Sequence, residues 1–219
     1  MKLVVLNGSP KGNISVTMQY VLFIQKKFPQ HELKIFNIAQ EIRKIEKEEK
    51  AFQEIIEAVK SADGVLWAFP LYFLLVHSNY KRFIELIWER KAESAFRNKY
   101  AASLSTSIHF FDHTAHNYIN AICDDLDMRF VGIFSADMYD LLKIKEQYKL
   151  LKFAEHFLDA IEGNTPISKN FKPLVLRKMD YTPGNVREKI DVDGLKVLVL
   201  TDSHEAYTNL GRMADRFKS

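Results

Sequence analysis

The chain holds a single cysteine, Cys123, in 219 residues. One copy can therefore build neither an internal disulfide nor a cysteine-ligated cluster, and Cys123 reads as a small apolar filler in an amphipathic helix. Long hydrophobic runs are missing too. The longest, residues 65–76, is interrupted by Pro70 and falls far short of the roughly 20 residues a membrane span requires. The first apolar run, residues 3–6, is too short for a secretory leader, so a cytoplasmic protein is expected. No excess of one charge stands out: 31 Lys and Arg face 28 Asp and Glu, a formal net charge of +3. The two signs interleave, as in KIEKEEK at residues 44–50, which reads as a solvated helix face or loop and not as a nucleic-acid footprint. Two phosphate signatures are also absent. There is no G-x-G-x-x-G for a dinucleotide and no G-K-[ST] for a nucleotide-hydrolysing loop.

What is present is a regular alternation supported by a 47% hydrophobic composition. Strands are expected at residues 2–6, 32–37, 64–68, 100–105 and 129–134. Helices are expected at 15–28, 51–62, 78–90, 116–126 and 144–161, where apolar residues recur three and four apart, as at Phe52, Ile55, Ile56 and Val59. Five strands, each followed by a helix, predict a parallel sheet covered on both faces, an α/β doubly wound fold. Order 2-1-3-4-5 fits the strongly apolar first strand, and places a ligand outside the carboxyl ends of strands one, three and four. Residues 1–163 form this unit. The proline-bearing stretch from 164 reads as a linker or wrapping arm, and KVLVL at 196–200 with a helix near 209–218 reads as an extra strand and helix or the opening of a second unit.

Two loops carry the chemistry. After the first strand comes Gly8-Ser9-Pro10-Lys11, then Asn13, Ser15 and Thr17 at the opening of a helix. A helix start offers unpaired N–H groups and positive dipole, and the hydroxyl and amide side chains add donors, a combination suited to one monophosphate. N-capping serines of an ordinary strand–turn–helix would look the same. After the third strand comes Phe69-Pro70-Leu71-Tyr72-Phe73, flat apolar surfaces on a proline-fixed backbone, suited to stacking a heteroaromatic or to anchoring a buried loop. His109, Asp112, His113 and His116 follow no standard metal spacing, and read as a polar loop with no metal. Ser9 lacks the G-x-S-x-G elbow of a hydrolase nucleophile.

Over about residues 1–160 the pair of loops resembles the NAD(P)H-dependent FMN reductase family of the flavodoxin-like superfamily. The first motif is Gly8-Ser9-Pro10-Lys11; the second runs from Ala62-Asp63-Gly64 through Pro70-Leu71-Tyr72-Phe73 to Lys81-Arg82-Phe83-Ile84. The resemblance implies FMN as cofactor and NAD(P)H as substrate. Ser9, Lys11, Asn13, Ser15 and Thr17 would hold the phosphate, Pro70, Leu71, Tyr72 and Phe73 would line the ring and ribityl chain, and Thr106, Ser107 and Ile108 would meet the pyrimidine edge. Tyr72 and His109 are the side chains to test for a catalytic part. Electrons would pass to a quinone, flavin or similar small acceptor by a ping-pong hydride mechanism, in a homodimer without nucleic-acid or membrane partners. The chain departs from the pattern in three places. The interval 38–50 lacks the cysteines of the family's iron–sulfur branch, the loop after strand four (STSIHFFDHTAH) lacks glycine, and the tail beyond 164 lies outside the small reductases. A flavodoxin-like electron carrier is the rival reading, although carriers are commonly acidic. A doubly wound domain without a cofactor is the third.

Overall fold

Leu3 and Val5 face one side of the sheet, and Val4 and Leu6 the other, and all four are buried. Side chains alternate along a strand, so a segment apolar at every position satisfies only a sheet covered on both faces. That segment is β1 (Lys2–Asn7), and it sits between β2 (Glu32–Phe36) and β3 (Gly64–Pro70). β4 (Tyr100–Ser107) and β5 (Arg129–Asp137) complete a parallel sheet of order β2-β1-β3-β4-β5. The computed structural model describes residues 1–173, 175, 180–184, 194, 196–202 and 207–218.

Helices α1 (Val16–Lys27) and α6 (Ile144–Glu162) cover the face of Val5, Leu66 and Leu104. On the other face α2 (Ile38–Lys47), α3 (Glu49–Ser61), α4 (Ser78–Glu89) and α5 (Asp112–Asp125) pack around Val65, Trp67 and Phe69. The charged run at 44–50 proves to be a junction. α2 ends at Lys47, Glu48 is extended, and α3 begins at Glu49. Ile38, Ala39, Ile42 and Ile45 give α2 a buried stripe that the surrounding charge obscures.

Strands β4 and β5 run further than expected, with Thr106 opposite Ala136 and Ser107 opposite Asp137. Thr106 and Ser107 therefore lie on a strand end and not in a loop. α6 stops where Asn164 turns left-handed (φ 45°), a conformation asparagine tolerates. The following residues stay with the first unit: the Tyr100 hydroxyl donates to the Thr165 carbonyl at 2.8 Å, and Asp124 accepts the N–H groups of Asn170 and Phe171, both at 2.8 Å.

The chain divides into two compact units, Met1–Pro173 and Leu174–Ser219. In the second, α7 (Asn209–Lys218) starts with the Thr208 hydroxyl accepting the Gly211 N–H at 2.9 Å, and Arg212 donates to the carbonyls of Tyr181 and Tyr207. The strand expected at 196–200 does not form. Those residues carry no regular secondary structure and belong to none of the sheet's five strands.

Candidate active site

At the end of β1 the Gly8 N–H donates to the Ala68 carbonyl at 2.7 Å. A Cβ on Gly8 would lie 2.8 Å from the buried Tyr80 ring, so the packing of α4 against the end of β1 depends on glycine here. The Ser9 N–H donates to Asn7 Oδ1 at 3.0 Å, and Ser9 Oγ accepts the Lys11 N–H at 3.3 Å. A single 3₁₀ turn, Gly12–Ile14, then intervenes before the helix. It requires a left-handed Gly12 (φ 59°), where a Cβ would run into the Gln40 side chain. Ser15 caps α1 by accepting the Met18 N–H at 3.3 Å. The first N–H groups of α1, at Val16 and Thr17, have no acceptor within the helix. Thr17 Oγ1 meets Thr106 Oγ1 at 2.6 Å, which ties α1 to the end of β4.

Beyond β3 the Leu71 N–H donates to the Thr106 carbonyl at 3.0 Å. Tyr72 and Leu75 then close a tight turn through reciprocal backbone bonds of 2.7 and 3.1 Å. Its two central residues are Phe73 (φ 39°) and Leu74 (φ 71°), bulky side chains in a backbone region that favours glycine and asparagine. Phe73 is 89% exposed. The Tyr72 ring stands edge-on to His77 at 4.8 Å, and desolvation holds the His77 pKa below its ordinary value.

These segments enclose a cavity of about 400 Å³, within the range of small-molecule sites. Ser9, Lys11, Ser15, Thr17, Pro70, Leu71, Tyr72, Phe73, Thr106, Ser107 and Ile108 all line it. Asn13, carried outward on the 3₁₀ turn and exposed, does not, and neither does His109. Val16, Leu74, Phe110 and Met138 were not foreseen. Met138 follows directly on Asp137, so the rule that strand ends form the site could have named it. The lining combines hydroxyls, a lysine and a helix N-terminus with rings and aliphatic groups. That donor set fits a molecule with a phosphate at one end and a flat ring system at the other, as FMN has.

Behind the β4 wall lies a polar network. Asp112 opens α5 and is 8% exposed; its carboxylate accepts from the hydroxyls of Ser107 (2.7 Å) and Ser135 and from His109 Nδ1 (3.1 Å). Burial raises its pKa, but these hydrogen bonds outweigh burial and leave it below the ordinary value. His109 Nε2 stands 4.0 Å from Asp140, so its ring lies between two carboxylates. His116 is buried, with Nδ1 at 2.7 Å from Ser103 Oγ and Nε2 at 2.9 Å from Ser105 Oγ. Desolvation lowers its pKa to about 4, so the ring is neutral at physiological pH. His113 faces outward beside Phe111. The four residues of the polar loop are thus dispersed, with Asp112 and His109 in contact and His116 turned into the sheet.

Residues 1–136 match the family described as NADPH-dependent FMN reductase. The chain belongs to that family. As a family member it is an NAD(P)H-dependent oxidoreductase with FMN as cofactor. Solved structures agree on the fold. The apo form of the NADH:FMN oxidoreductase EMOB matches at 18% identity and a TM-score of 0.59, over 71% of this chain and 87% of that one. FerB, a flavoenzyme NAD(P)H:(acceptor) oxidoreductase from Paracoccus denitrificans, matches at 16% and 0.60, over 74% and 97%. RosB with bound 8-demethyl-8-formylriboflavin-5'-phosphate matches at 12% and 0.60, over 92% and 100%. No curated protein matches the sequence.

Proposed function

We propose that this FMN reductase passes hydride from NAD(P)H to a quinone, a flavin or a similar small acceptor by a ping-pong cycle, donor and acceptor using one seat in turn. The observation that carries this reading is the cavity at the strand ends, lined by hydroxyls, a lysine and the start of α1 together with rings and aliphatic groups. Bound FMN would accept hydride and release the electron pair, chemistry that belongs to the cofactor. The protein contributes position. Ser9, Ser15, Thr17, Lys11 and the first turn of α1 would hold the phosphate. Pro70, Leu71, Tyr72 and Phe73 would flank the ring, and Thr106 and Ser107 would meet its polar edge. Asn13, exposed on the 3₁₀ turn, is left out of this assignment. Tyr72, half exposed on the wall, is placed to touch a second substrate, whereas His109 would act through the loop it anchors. The same reading makes the enzyme a cytoplasmic homodimer, with the exposed rings of Phe73, Phe110 and Phe111 as surface for a second subunit to cover.

The test begins with the absorbance spectrum and mass of the purified protein, followed by initial rates of NAD(P)H oxidation with a quinone and with free flavin. Bound FMN, turnover and parallel double-reciprocal lines are expected. FMN bound with negligible nicotinamide oxidation would instead favour an electron carrier, and no FMN uptake at all would favour a domain without a cofactor.

A further inference from the structure

Ser107, the last residue of β4, lines the cavity, yet its hydroxyl is already committed on two sides. Its proton goes to Asp112 Oδ1 at 2.7 Å, and the His109 N–H donates to its oxygen at 2.8 Å. Neither direction can be reversed, because an ionised carboxylate has no proton to give and a peptide N–H cannot accept. A serine hydroxyl offers one proton and two lone pairs. What is left for a ligand is one lone pair.

The network behind Asp112 can be read with the same polarity. Ser135 gives its proton to Asp112, so it must accept from Ser105, 3.5 Å away. Ser105 has then spent its own proton, so His116 Nε2 donates to it and His116 Nδ1 accepts from Ser103. His109 Nδ1 donates as well. Each donor in the series points toward the carboxylate, which also sits at the positive end of α5. A helix-capping Asp would account for the carboxylate alone. It would not account for a cavity hydroxyl stripped of its donor. The Thr17–Thr106 pair on the same wall differs, since one of its two protons stays free for a ligand acceptor.

We propose that Ser107 is an obligate hydrogen-bond acceptor that selects a ligand ring presenting an N–H, with Asp112 as the positioning residue that keeps it so. This rests on the FMN reading, and in the oxidised isoalloxazine the one ring N–H is at N3. The test uses the full chain and fluorescence titration with FMN and with 3-methyl-FMN, in which a methyl group takes the place of the N3 hydrogen and leaves no ring N–H to donate. Wild type is expected to bind FMN about tenfold more tightly, the worth of roughly one hydrogen bond. Ser107→Ala is expected to bind the two within about twofold, and Ser107→Thr to keep the preference. Asp112→Ala, which frees the Ser107 proton, is expected to reduce it. Because the readout is a ratio between two flavins, a general loss of stability would not mimic it, and Asp112→Ala, which leaves the Ser107 side chain in place, separates the hydrogen bond from the bulk of the methyl group. Equal binding by wild type, or full preference in Ser107→Ala, overturns the inference alone. A wild type that takes up neither flavin overturns the FMN reading and this inference with it.

Discussion

At the scale of single residues, His116 makes the clearest prediction. Its pKa falls from an ordinary 6.5 to about 4 because the folded protein buries the ring. The unfolded chain therefore takes up a proton near pH 6.5 that the folded one refuses. The contribution of the neutral ring is present in full above pH 6.5 and is lost as pH falls toward 4, a change of about 3 kcal/mol. Denaturant melts between pH 7 and 4 should show this slope, and His116→Phe should flatten it. Gly8→Ala should cost about 1–3 kcal/mol in the same assay. Its Cβ would press on Tyr80, whose ring cannot retreat because its hydroxyl is bonded to the Leu6 carbonyl at 2.7 Å. The sequence announced the hydroxyls of the first loop, because Ser9, Ser15 and Thr17 crowd a recognisable strand-to-helix junction. It did not announce the network around His116. The signal there is Asp112, His116, Asn120 and Asp124 at four-residue spacing, a buried polar seam along α5 that is easily mistaken for the solvent face of the helix.

At the scale of elements, strand identity and order were legible because a parallel sheet leaves little choice about where continuous apolar runs go. α2 was less so: its four buried positions are embedded among lysines and glutamates. The 3₁₀ turn before α1 was invisible, since it depends on the packing of Gly12 against Gln40, a residue on another element. That turn makes Ser15 the cap, and Ser15→Ala should cost about 1 kcal/mol. The same substitution should weaken FMN binding, measured by titration, whereas Asn13→Ala should leave both quantities unchanged within error.

At the scale of the molecule, every cavity-lining residue belongs to the first compact unit. A chain ending at Pro173 is expected to melt cooperatively and to bind FMN with unchanged affinity, as measured by thermal denaturation and titration. Cutting back to Gly163 would also remove the Thr165 carbonyl that accepts from Tyr100 and the two N–H groups that donate to Asp124, and should lower the melting temperature of that shorter chain. The second unit was the least readable part. KVLVL has the composition of a strand, but composition cannot supply the neighbour a strand pairs with.

The turn at Phe73 and Leu74 has a consequence for evolution as well as for binding. Two bulky residues held left-handed cost on the order of 1–3 kcal/mol each, which replacing them with asparagine or glycine would largely return. Selection for robustness alone would have made that trade. A chain that keeps the tense lip gains a hard, greasy rim around the cavity, and softening it should make the protein sturdier to heat and slower at its work.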